Sequence, residues 1–206
     1  MNAEEAQLLV RQYSAGKTIG GAEYSFGHVM NVARAARVIA ACCGLDEEKA
    51  HVYGTLHDIG RLLVCDSRGE LELDDRHRHP VRGYKLLASL GLTDEARICI
   101  THAFLDRRNT YSDLYSAEDN AIVERVLSEP YGDYDLILQL ADGVATVNGV
   151  CPMETRLVRK MLEGRHSERD LEDFRCLLRA KEHLDKKAGI NLYSVLFRDP
   201  SQVEFV

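Results

Sequence analysis

The chain has 206 residues, 45% of them hydrophobic and 29% charged, which suits one well-filled globular domain because single cores stop growing only beyond roughly 250 residues. Its 26 Lys and Arg against 33 Asp and Glu give a formal net charge of −7, and no basic run is long enough to track a phosphate backbone, so a nucleic-acid polymer is not an expected partner. The N-terminal MNAEEAQLLVRQY is polar and acidic and no stretch approaches the ~18 apolar residues of a membrane span, which predicts a cytoplasmic protein without membrane contact. Six cysteines contain no Cys-x-x-Cys pair, so they read as small, reduced apolar residues rather than as a zinc knuckle or a redox motif.

In chain order, helix signals dominate. Ser25 is placed to cap a helix running to about Cys43, with Val29, Val32, Ala36, Ile39 and Cys43 at helical spacing and Gly44 as its stop. Asp46 is placed to cap the next, in which Ala50, Tyr53 and Leu56 lead to HDIG, so the His57-Asp58 doublet falls at a helix end. The polar run between Cys65 and His79 reads as a loop, and Pro80 is the residue favoured at a first helical position. Thr93 is the expected cap of TDEARICITHAF, which surrounds His102 with apolar positions, and Ser116 with Asp119 resembles a capping box before AIVERVL. DYDLILQLADGVATV is the most apolar helix, with Asp142 in its middle. METRLVRKML and the segment after Ser167 look amphipathic and read as scaffold. Without repeats or linkers, the expectation is an all-α, single-domain bundle over residues 1–206, with its functional core at about 25–150 and scaffold helices at about 152–190.

His28, His57, Asp58, His79, His102 and Asp142 form a set of candidate metal ligands. Neutral imidazoles and carboxylates are the donors that divalent iron, manganese and zinc prefer. A His-Asp dipeptide alone is common as a helix end or a surface pair. Here its companions lie in or beside apolar helical segments, where an unpaired imidazole or carboxylate would be costly to bury. Plainer readings compete at two positions: Asp142 could cap a helix broken at Gly143, and His77 shares the polar loop with His79.

The order H…HD…H…H…D, in the contexts HDIGR, HPVRGYKLL, ITHAF and QLADGVA, resembles the HD-domain superfamily of metal-dependent phosphohydrolases over approximately residues 25 to 150. The resemblance implies one metal held by His28, His57, Asp58 and Asp142, and a second held by Asp58, His79 and His102, with Asp58 as the bridge. The implied ions are divalent, drawn from iron, manganese, magnesium, nickel and zinc. Two features narrow the branch. Ala103 follows His102 and no Gly-Tyr-Pro occurs, which disfavours the cyclic-dinucleotide phosphodiesterases, and Arg61 stands where the family commonly has lysine.

The chemistry follows from the ligands. Two divalent ions roughly 3.5–4 Å apart that share a carboxylate lower the pKa of water between them and stabilise charge on phosphoryl oxygens. Asp58 and Arg61 are the expected catalytic pair: Arg61 follows Asp58 by three positions and can grip a phosphate bidentately if the helix persists. Arg107 and Arg108, in the loop after His102, are the further substrate-binding candidates, ahead of Lys17 and Arg82. The leading expectation is hydrolysis of a small phosphorylated compound, a nucleotide, as in the bacterial HD-domain hydrolases that cleave dinucleoside tetraphosphates. Alternatives are the mixed-valence di-iron oxygenases that share this ligand set, and a nonenzymatic nucleotide- or metal-binding module, which has no need of an open two-metal centre. The oligomeric state is left open.

Overall fold

The computed structural model describes residues 1–66, 68–71, 78–107, 115–164 and 166–204. The fold is all-α, apart from a two-strand hairpin, β1 (Thr18–Ile19) against β2 (Ala22–Glu23), that the sequence patterning does not announce. Helix α1 (Ala3–Ser14) starts from a reciprocal capping box between Asn2 and Glu5. Helices α2 (Gly27–Cys42) and α3 (Glu47–Leu56) follow, and Asp46 caps α3 as expected, accepting from the Lys49 amide at 3.0 Å. At α2 the cap position belongs to Phe26, while Ser25 Oγ accepts from the Gly27 amide at 3.2 Å.

A 3₁₀ segment (Ile59–Leu63) continues from α3, and α4 (His79–Ser89) begins with His79 and Pro80 in its first turn. In α5 (Thr93–Thr101), Thr93 is the first helical residue and not the cap, because Leu92 occupies that position without a side-chain bond. Ser116 caps α6 (Ala117–Ser128). Then come α7 (Asp133–Val144), α8 (Met153–Leu162), α9 (Glu168–Ala188), which Ser167 caps, and α10 (Tyr193–Leu196). All six cysteines are free thiols. Among the described residues, no helix is long and apolar enough to cross a membrane.

Helix α2 packs against both α3 and α7. Val32, Ala36 and Ile39 of α2 bury against Tyr53 and Leu56 of α3 and Ile137, Leu138, Leu140 and Ala141 of α7. Each large aliphatic chain buried there contributes about 1.5–3 kcal/mol. Gly54 sets the α2–α3 spacing: a Cβ at this position would lie 2.5 Å from Ala33 Cα. A second cluster, Val81, Ile100, Phe104, Val123, Val126 and Leu127, joins α4, α5 and α6. The ends of α3, α5 and α7 carry polar residues of the site.

Candidate metal centre

Each candidate ligand sits at a helix end or in a terminal turn. His28 is the second residue of α2, His57 follows the last residue of α3, and His79 opens α4. His102 follows the last residue of α5, and Asp142 lies in the final turn of α7, not at its middle. Glycine brings two of these ends together. Behind the doublet, a Cβ on Gly60 would stand 2.0 Å from the His79 carbonyl oxygen and 2.6 Å from the Gly83 amide. Only a bare Cα lets the 3₁₀ turn lie flush on the start of α4, which delivers His79 to Asp58.

The six side chains converge. His28 Nε2 lies 3.1 Å from Asp142 Oδ1, and the imidazoles of His57 and His102 pack edge to face with centroids 4.9 Å apart. The two oxygens of Asp58 face different partners. Oδ1 lies 3.1 Å from His79 Nε2 and 3.4 Å from His102 Nε2, whereas Oδ2 lies 3.6 Å from His57 Nε2 and 4.0 Å from His28 Nε2. Donor atoms of His28, His57 and Asp142 all fall within 4.8 Å of one another, as do those of His57, Asp58 and His102.

Backbone carbonyls orient two of the rings. His57 Nδ1 donates to Gly54 O at 2.7 Å and His102 Nδ1 donates to Ile98 O at 2.9 Å. A carbonyl can only accept, so Nδ1 carries the proton and Nε2 keeps its lone pair toward the cluster. There His57 Nε2 and Asp58 Oδ1 are buried without a hydrogen-bond partner. Orphaned acceptors of this kind are costly. Cations bound in the cluster would satisfy both, so the donor set fits divalent metal.

The electrostatics agree. Burial pushes the His57 imidazole down to about 4 and lowers His79 as well, which keeps both neutral and able to ligate at pH 7. Burial also opposes ionisation of Asp58, but Arg61, His57 and His79 together hold its carboxyl well below the usual carboxylate range. Asp142 is lowered too, against burial, by the His28 contact, and the same contact raises His28 despite its own desolvation.

The arginines separate. Arg61 Nε donates to Asp58 Oδ2 at 2.6 Å, so the guanidinium is at the cluster but bound to the carboxylate. Arg107 is committed elsewhere: it donates to the Leu127 carbonyl and lies over the Tyr131 ring, tying the α5 end to α6. Arg108 and His77 lie outside the described residues. Lys17 Nζ is 3.1 Å from Cys65 Sγ.

Three residues at the site escaped the sequence reading. Gln139, one turn before Asp142, donates to the Thr101 carbonyl at 2.8 Å and so fixes α7 against the residue preceding His102. Arg156 of α8 donates to the carbonyls of Asp142, Gly143 and Ala145, capping α7 beneath the ligand. Tyr24 is raised to about 12 by burial and the nearby Asp58 charge, so its phenol stays protonated beside Arg61. A polar residue one turn from a ligand was the available signal for Gln139. For the other two there was none.

The HD-domain family model matches residues 25–146, well over half of the chain and all six candidate ligands. The chain belongs to the HD-domain family. Its members are in general metal-dependent phosphohydrolases that bind divalent ions. Among curated relatives, the chain is 42% identical over 98 residues to Ribonuclease Y of Campylobacter jejuni subsp. doylei, a match covering 38% of this chain and 19% of that protein. It is also 42% identical over 78 residues to Ribonuclease Y of Campylobacter jejuni subsp. jejuni, covering 32% and 15% respectively. The chain therefore matches less than a fifth of the length of these relatives. No solved structure matches.

Proposed function

We propose that the chain is a dinuclear phosphohydrolase whose substrate is a phosphate ester or anhydride of a nucleotide. The observation that carries this reading is the division of Asp58, with one oxygen turned to His79 and His102 and the other to His57 and His28. A carboxylate so divided suits two cations a few ångströms apart. His28, His57 and Asp142 would complete one coordination sphere, and His79 and His102 the other. Bound there, two divalent ions would supply water of lowered pKa and Lewis-acid stabilisation of phosphoryl oxygens.

The chain's own residues do the rest. The carbonyls of Gly54 and Ile98 hold the imidazoles of His57 and His102 in one tautomer and one orientation. Arg61 secures Asp58 Oδ2 through Nε, which leaves its terminal nitrogens to meet a phosphate. The side chains of His28 and Asp142 are 25% and 31% exposed, so a substrate can approach from their side.

RNA is a second reading of the substrate, favoured by the identity with Ribonuclease Y. The net charge of −7 weighs against a long polyanion. Protein loaded separately with manganese, magnesium, nickel and iron should hydrolyse nucleoside polyphosphates or dinucleoside polyphosphates faster than short RNA. Turnover of RNA alone would make the chain a nuclease. A mixed-valence iron signal in air, with oxidation in place of hydrolysis, would overturn the proposal in favour of the oxygenase.

A further inference from the structure

We infer that one face of α8 forms a second phosphate-binding site beside the metal centre, built from Arg156, Arg159 and Lys160. These cations stand at i, i+3 and i+4 and therefore share one side of the helix. Two clefts open along that side. One, of about 180 Å³, contains His102 and Asp142; the other, of about 420 Å³, contains His28 and Arg159; Arg156 and Lys160 line both. The helix is thus a cationic divider between two openings of one ligand cluster. Thr146 and Asn148 add neutral polar groups to the larger cleft, and Glu204 is its one carboxylate among the described residues.

The present partners of these cations are of a kind that a phosphate can displace. Both terminal nitrogens of Arg159 are 3.4 Å from Glu204 Oε1, the long limit of a hydrogen bond. Lys160 pairs with Asp170 Oδ1, but the other oxygen of Asp170 serves Ser167 at the cap of α9, so the carboxylate keeps a role without the lysine. Partly exposed pairs of this sort add little to stability. Arg156 differs, because its bonds to the α7 carbonyls hold the guanidinium beside Asp142 with no ligand present. One positioned guanidinium and two displaceable cations suit a dianionic phosphoryl group.

The ligand is a compound with two phosphoryl groups close together, one at the metal centre and one on α8. A nucleoside polyphosphate has that chemistry, whereas a monophosphate gains nothing from the larger cleft. The inference rests on the hydrolase reading for the place of the first phosphate, but it can be tested without turnover. Manganese-loaded protein is titrated calorimetrically with methylenediphosphonate, which carries two phosphoryl groups and resists hydrolysis, and with methylphosphonate, which carries one. Wild type should bind the first at least tenfold more tightly. The double variant Arg159→Ala, Lys160→Ala, with its fold checked by circular dichroism, should lose at least tenfold in affinity for the diphosphonate. Arg125→Ala, which removes a cation bound to the Tyr84 hydroxyl on α4, should not. Unchanged diphosphonate affinity in the double variant, or an equal loss in Arg125→Ala, would overturn the site. Wild type that binds the diphosphonate yet hydrolyses no phosphate ester would support the α8 site while removing the hydrolase reading.

Discussion

The two halves of the His/Asp cluster differ in how they meet water. His28 and Asp142 hold one another across the α2 and α7 ends with a quarter to a third of each side chain exposed, while Asp58, His79 and His102 are almost wholly covered. The open half borders both α8 clefts, whereas of the covered half only His102 reaches one of them, and Asp58 and His79 are wedged between α3, α4 and α5. The division assigns different duties to the two metals of the proposed centre. In the proposed centre the covered half would fix an ion in place, and the open half would present one to substrate.

Removing the residue common to both halves should have the largest effect. Asp58→Ala leaves four imidazoles and Arg61 without their shared carboxylate, so metal binding in both halves and measurable hydrolysis should be lost while far-ultraviolet circular dichroism stays helical. Full metal occupancy in this variant would rule out a bridging Asp58.

Gly60→Ala attacks the covered half through its packing. The added methyl would meet the His79 carbonyl and the Gly83 amide, backbone atoms that cannot rotate away. Overpacking of that severity costs about 3 kcal/mol, which chemical denaturation can read. A variant as stable as wild type would show that α4 can shift, and that His79 is not held as described.

His57 and His79 respond to pH oppositely to His28 in metal-free protein. His57 and His79 are depressed in the fold, so between pH 6.5 and about 4 the unfolded chain binds more protons and stability should fall as pH falls. For His57 alone a depression to about 4 corresponds to about 3 kcal/mol. His28 is raised by Asp142, so its contribution is complete below pH 6.5 and is lost as pH rises through its folded value. The net expectation is a melting temperature that climbs from pH 4 to 6.5 and then declines as His28 gives up its proton. A melting temperature that stays flat or falls between pH 4 and 6.5 would show that His57 and His79 are not held neutral by burial.

Much of this was legible in the sequence, because HD-domain ligands sit in short local contexts. The helix starts at Asp46 and Ser116 were read from cap residues, and the buried face of α2 from apolar spacing. What escaped depends on contacts between distant segments. Arg107 has the same charge and loop setting whether it reaches a substrate or the Leu127 carbonyl, and only the packing of α5 on α6 decides between them. The cations of α8 look like any solvated helical face until α7 brings Asp142 beside them. Thr93 has the chemistry of a cap, yet the helix begins one residue earlier than that role needs, at Thr93 itself, with Leu92 in the cap position.

The central claim is that the covered half holds a metal of its own, and elemental analysis of metal-loaded protein tests it most directly. Wild type should carry two equivalents, His79→Ala and His102→Ala one each, with most of the activity gone, and the remaining ion should stay with His28, His57 and Asp142. If both variants keep the wild-type stoichiometry, there is no second metal, and the centre reduces to His28, His57, Asp58 and Asp142.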